Sequence, residues 1–108
     1  MTVKELSESC SFEAVTMPDP EREINGAYIG DLLSWVMGRA QADNAWITIM
    51  SNINVIAVAS LSDVACVILA EGVKLDDSVR NTAEMKGINV LTSPLPAYDT
   101  ALTISGKI

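Results

Sequence analysis

The amino-acid sequence predicts an α/β domain built on a mostly parallel sheet, and three stretches carry that prediction. The segment from Ala45 to Ala70 holds one charge, Asp63, in a chain that is otherwise liberally charged. Ser51, Asn52 and Asn54, and later Ser60, Ser62 and Asp63, divide it into Trp46–Met50, Ile53–Leu61 and Val64–Leu69. Those pieces have the lengths of a buried strand, a short helix and a second buried strand. A membrane span needs roughly 20 predominantly apolar residues without such punctuation. Next, Asp76-Asp77-Ser78 suits a helix N-terminus, where acidic side chains meet free N–H groups and oppose the dipole. That helix is expected to end at Lys86, with Gly87 as its cap. Finally, Ile88–Leu91 reads as a third core strand. Strands alternating with helices imply parallel neighbours joined by right-handed crossovers.

The remaining elements follow from local signals. Thr2-Val3-Lys4-Glu5 has the Ser/Thr-x-x-Glu form of a capping box and predicts a helix to about Ser9. Phe12–Val15 is expected to be a strand, and Pro18-Asp19-Pro20 breaks regular structure. Gly26 and Gly30 bracket the short extended piece Ala27-Tyr28-Ile29. Asp31 is a candidate cap for a helix whose apolar face joins Leu32, Val36 and Ala40 with Leu33 and Met37. Trp35 lies off that stripe, either covering the core edge or marking a contact surface. Pro94 and Pro96 frame a loop before a final helix over Ala97–Ser105.

At 108 residues the chain is expected to be one domain, residues 1–108, with a core that needs no metal or disulfide staple. Its 49% hydrophobic content exceeds what so small a monomer hides comfortably, which predicts a homodimer. The net charge of −7, with no basic run, argues against nucleic acid and anionic membranes as partners. Cys10 and Cys66 form neither a disulfide framework nor a metal-ligand spacing, and Met1–Glu5 lacks the apolar stretch of a signal peptide. A reduced, cytoplasmic setting is the expectation.

Ligands of an open parallel sheet gather beyond the carboxyl ends of its strands. Three loops should converge there: Ser51-Asn52, Glu71-Gly72 and Thr92-Ser93. They offer hydroxyls, an amide and a carboxylate to a small polar ligand. Each also has an ordinary structural reading, as a helix cap, a turn and a loop before proline. No catalytic constellation accompanies them. The chain has no histidine, its serines lack an activating base, and neither cysteine has a basic neighbour to lower its pKa. No calcium loop and no phosphate-binding loop occurs: the Gly106-Lys107 pair has no helix to follow. No metal, no cofactor and no enzyme activity are expected.

Gly26-x-Tyr28-x-Gly30-Asp31-Leu32-Leu33, the Ala45–Gly72 strand–helix–strand, Lys86-Gly87-Ile88-Asn89-Val90-Leu91-Thr92 and Tyr98-Asp99-Thr100 together resemble the DRTGG-domain family over residues 24–104. The resemblance is to its small stand-alone members, which are similar to the N-terminal domain of HPr kinase/phosphorylase. It implies a three-layer α/β/α sandwich serving as a regulatory or dimer-forming domain, without kinase activity. It also implies proximity to a redox or hydrogenase enzyme as partner. Asp99 matches the family pattern and joins Ser51, Asn52, Glu71, Gly72, Thr92 and Ser93 as a candidate ligand-binding residue, although it could equally brace the last helix. The sequence departs from the family in lacking the Asp-Arg-Thr-Gly-Gly pentapeptide. Met50-Ser51-Asn52 stands where relatives often carry Gly-Asp-Arg. The missing arginine removes the obvious phosphate clamp and favours a neutral ligand.

Two functions are therefore expected from different classes. One is a non-catalytic regulatory or adaptor domain acting through self-association and a partner protein. The other is a sensor of a nucleotide or metabolite at the Ser51/Asn52, Glu71 and Thr92/Ser93 edge. A hydrolase or transferase using Glu71 or Asp99 as base is the weakest alternative.

Overall fold

The computed structural model describes residues 1–108 and contains five helices and five strands. In chain order they are α1 Val3–Cys10, β1 Glu13–Thr16, β2 Ala27–Ile29, α2 Leu33–Arg39, β3 Ala45–Thr48, α3 Ile53–Ser62, β4 Cys66–Leu69, α4 Asp77–Met85, β5 Val90–Thr92 and α5 Ala97–Ile104. The strands form one sheet in the order β1-β5-β4-β3-β2. The four strands β2 to β5 run parallel, and β1 adds an antiparallel edge against β5.

Each crossover moves one strand in the same direction, so α2, α3 and α4 share a face of the sheet. On that face Trp46, Val67, Leu69 and Val90 pack against Val36, Val55, Ile56, Ala59, Val79 and Ala83. The opposite face carries α1 and α5: Ala45, Ile47, Cys66, Ile68 and Leu91 meet Val3, Leu6 and Ile104. Alternation along each strand sends neighbouring side chains to different layers. Burial on both sides accounts for the near-continuous apolar runs of β3 and β4. The result is the three-layer α/β/α sandwich.

Local chemistry sets the element ends. Thr2 Oγ1 accepts from the Glu5 N–H at 3.1 Å while Glu5 Oε1 accepts from the Thr2 N–H at 2.9 Å, closing the capping box on α1. The Thr2 backbone N–H above all, with the Thr2 side chain, holds the Glu5 carboxyl below its ordinary pKa. The family-like Gly26-x-Tyr28-x-Gly30 segment has a steric basis. Gly26 sits at φ +78°, and a Cβ on Gly30 would fall 2.8 Å from the Tyr28 ring.

Three local expectations are corrected. Asp31 does not cap α2, whose N-cap is Leu32 without a side-chain hydrogen bond. Instead Asp31 Oδ1 accepts from the Thr48 hydroxyl at 2.8 Å and the Ile49 N–H at 3.0 Å, tying the end of β2 to the end of β3. The apolar stripe of α2 is also only half used: Val36 is buried and Leu33 half-buried, but Leu32 and Met37 are exposed. A seven-residue helix next to an edge strand has too little sheet beneath it to cover both rows. The helix α4 ends at Met85 with Lys86 as its C-cap, so Gly87, expected as the cap, follows it with φ +75°.

Candidate functional site

The parallel strands β3, β4 and β5 bring the Ser51-Asn52, Glu71-Gly72 and Thr92-Ser93 loops to one edge of the sheet. Along that edge the loops behave differently. The loop after β4 leads to α4 on one face, whereas the loop after β5 leads to α5 on the other. Loops that leave neighbouring strands toward opposite faces open a crevice between them, the usual ligand position in such sheets.

Here the crevice itself is closed by backbone pairing. The Gly72 N–H donates to the Ser93 carbonyl and the Glu71 N–H donates to the Leu95 carbonyl, each at 2.8 Å. Glu71 and Gly72 reach those carbonyls with φ +60° and +67°, a left-handed pair that turns the chain back over β5. The opening is thereby moved outward, over β5 and β1. A cleft of about 290 Å³ lies there, lined by Ser11, Glu13, Gly72, Lys74, Thr92 and Pro94. It adjoins a second hollow of about 180 Å³ that shares Glu13, Lys74 and Thr92 and adds Val15, Val73, Leu75 and Arg80.

The seven candidate residues are thus distributed. Gly72 and Thr92 line the cleft, and the Thr92 hydroxyl donates to the Val73 carbonyl at 3.2 Å. The Glu71 side chain is exposed beside Gly72. Ser93 is fully buried beneath the loop, with its hydroxyl 2.8 Å from that of Thr100. Ser51 and Asn52 follow β3, two strands from β5, and Asn52 Oδ1 accepts from the Asn54 N–H at 2.9 Å as the cap of α3. Asp99 is exposed in the first turn of α5, on the opposite layer.

Lys74, Arg80, Glu13 and Ser11 were not among the candidates. Lys74 had a signal, standing two residues beyond Gly72 in the same loop of a chain with only 7 basic residues. Ser11 and Glu13 had none, because they reach the cleft through the antiparallel pairing of Glu13 with Thr92. Both cysteines are poor nucleophiles. Burial pushes the Cys66 thiol up to about 12 and raises the half-buried Cys10, against a small opposing effect of Lys107. No cluster of His, Cys, Asp or Glu could hold a metal ion, and no helix is long and apolar enough to cross a membrane.

The family model of the DRTGG domain matches residues 21–106, so the chain belongs to the DRTGG domain family. Its fold is similar to a crystal structure of the CBS and DRTGG domains of the regulatory region of Clostridium perfringens pyrophosphatase, complexed with the activator diadenosine tetraphosphate. The TM-score is 0.71 at 15% sequence identity, a likeness of fold. The match covers 95% of this chain but 45% of the pyrophosphatase fragment, so the chain spans less than half of that structure's length. No curated protein matches the chain.

Proposed function

We propose that residues 1–108 act as one regulatory domain whose input is a small ligand held in the cleft beyond β5. The observation that carries this reading is the position of the cleft. It lies over β5 and β1, just outside the closed crevice where the chain leaves β4 and β5 toward opposite layers, and two expected contact residues, Gly72 and Thr92, line it. The pyrophosphatase fragment of similar fold belongs to a regulatory region crystallised with a nucleotide activator, which supports a sensing role for this chain. Amide chemical-shift mapping against a panel of nucleotides and metabolites tests it. Shifts centred on Gly72, Lys74 and Thr92 are expected. Shifts centred on Ser51 and Asn52 would move the site to the β3 loop, and a flat response throughout would overturn the sensor.

A second reading concerns the output and rests on a different surface. β2 is an edge strand, and Ile29, Leu32, Trp35 and Met37 around it are 51%, 59%, 53% and 52% exposed. Residues 27–40 hold only Asp31 and Arg39 as charges, so this face is neutral in a chain of net charge −7. Two copies of so acidic a chain meet most easily across a neutral apolar face, which makes a homodimer through β2 and α2 the proposed arrangement. A partner protein, including the redox enzyme implied by the resemblance, would compete for the same face. Sedimentation of the chain beside Ile29→Lys tests this: a dimer that the lysine converts to a folded monomer is expected, and a native monomer would refute it.

A further inference from the structure

The side chains that line the cleft carry a net charge opposite to that of the chain. The sequence carries 7 basic and 14 acidic side chains, yet Lys74 and Arg80 line the two hollows against one acid, Glu13. Two of the other cations are already committed. Arg22 is held by Asp43 and Asp63, and the Arg39 guanidinium lies 3.7 Å from the centre of the Trp35 ring. Lys74 belongs to no ion pair, and Arg80 reaches only Asp77 Oδ1 at 4.0 Å, with both side chains well exposed. Val15, Val73 and Leu75 give the smaller hollow an apolar lining beside Lys74 and Arg80, while Ser11, Gly72 and Thr92 supply polar groups to the adjoining larger one.

Resting on the sensor reading, we infer that the cleft takes a small organic anion of low charge, with a phosphomonoester as the best-fitting class. Its anionic group pairs with Lys74 and Arg80, and its organic part lies against Val15, Val73 and Leu75. Among the side chains that line the cleft, two cations less one carboxylate leave +1 in a chain of −7, with Asp77 beside Arg80 and Glu71 beside Gly72 limiting how much negative charge the cleft accepts. A phosphomonoester, at about −1.5 to −2 near pH 7, suits that balance. A polyphosphate would meet too few cations and be repelled by the rest of the chain. This replaces the neutral ligand that the absence of an arginine after β3 suggested: the cations come from the β4–α4 segment instead.

Titration calorimetry on the whole chain tests the assignment with AMP, adenosine, ATP and inorganic phosphate as probes. AMP is expected to bind more tightly as salt is lowered, and ATP no more tightly than AMP. Lys74→Ala and Arg80→Ala should each weaken AMP about ten-fold, the loss of one charge-assisted contact. Glu13→Gln should tighten it several-fold, a gain that damage to the fold would not produce. All three side chains are exposed, so the variants should fold. Failure of both AMP and inorganic phosphate to bind overturns the anion assignment. So does adenosine binding as tightly as AMP with the lysine and arginine variants unchanged, although the sensor reading then survives with a neutral ligand. The sensor reading falls separately, if no metabolite of the mapping panel shifts the cleft amides.

Discussion

The Ser93 and Thr100 hydroxyls lie 2.8 Å apart, and both residues are fully buried. Ser93 Oγ also accepts from the Leu95 N–H, and the Thr100 hydroxyl donates to the Leu95 carbonyl, both at 3.2 Å. One proton arrangement satisfies all three contacts: Ser93 donates to Thr100, Thr100 to Leu95, and Leu95 back to Ser93. This small ring fixes the loop that accepts the Glu71 and Gly72 N–H groups. Ser93→Ala leaves the Leu95 N–H without its side-chain acceptor and removes the donor to Thr100 Oγ1, whose own bond to the Leu95 carbonyl remains, and should cost about 1–3 kcal/mol of stability. Urea unfolding measures that loss. Ligand affinity at saturating folded protein should be unchanged; a lost affinity with full stability would return Ser93 to the site.

Asn52 has an equally structural task. Its side chain caps α3, so Asn52→Ala should lower stability by about 1 kcal/mol while Asn52→Ser or Asn52→Asp retains most of it. Thermal unfolding of the three variants checks this order. Equal melting temperatures would show that the cap contributes nothing, and a binding role for the amide would then be the stronger reading.

Features with short-range causes were legible in the sequence, and those made by distant pairings were not. The Thr2–Glu5 capping box spans three residues and was read directly. So were the β3–α3–β4 core, from its single charge, and the common edge reached by three loops, from strand–helix alternation. Asp31 misled because its partners Thr48 and Ile49 arrive only when β2 pairs with β3. The cleft was half legible for the same reason. Gly72 and Thr92 end parallel strands or their loops, but Ser11 and Glu13 are delivered by an antiparallel edge from the other end of the chain.

Cys66 gives the chain an alkaline stability limit. Its thiol is buried among apolar side chains in β4, and burial raises it from 9.0 to about 12. A raised folded value means that the unfolded chain loses its proton first. The contribution is therefore fully present below pH 9.0 and falls away as pH rises toward about 12. The readout is the difference between the chain and Cys66→Ala, which cancels whatever the two share. The alanine variant is less stable at neutral pH through its lost packing, but the gap between the two should narrow above pH 9.0. A constant gap would show that Cys66 ionises as easily folded as unfolded. In the native chain, alkylation at neutral pH should reach Cys10 slowly and spare Cys66 until unfolding.

The end of the sheet opposite the cleft is held by Arg22. Its Nε and Nη2 donate to Asp43 Oδ1 at 3.0 and 2.8 Å, and Nη2 also donates to the Asp63 carbonyl and carboxylate at 2.7 and 2.9 Å. Asp43 and Asp63 precede β3 and β4 with φ +68° and +56°, and the Asp43 N–H donates to the Asp63 carbonyl at 2.9 Å. Without the guanidinium, two carboxylates crowd at adjacent strand starts. The carboxylates are largely exposed, which discounts the Coulomb part. The half-buried arginine stem and its four hydrogen bonds remain, so Arg22→Ala should cost about 1–2 kcal/mol. Arg22→Lys should recover only a fraction, because an ammonium cannot span both aspartates with a planar fork. Raised salt should relieve part of the alanine variant's deficit by screening the exposed carboxylate pair. Urea unfolding at two salt concentrations measures both variants beside the native chain. Full rescue by lysine would reduce the clasp to simple charge neutralisation, and an alanine variant of native stability would leave the strand starts held by their backbone bonds alone.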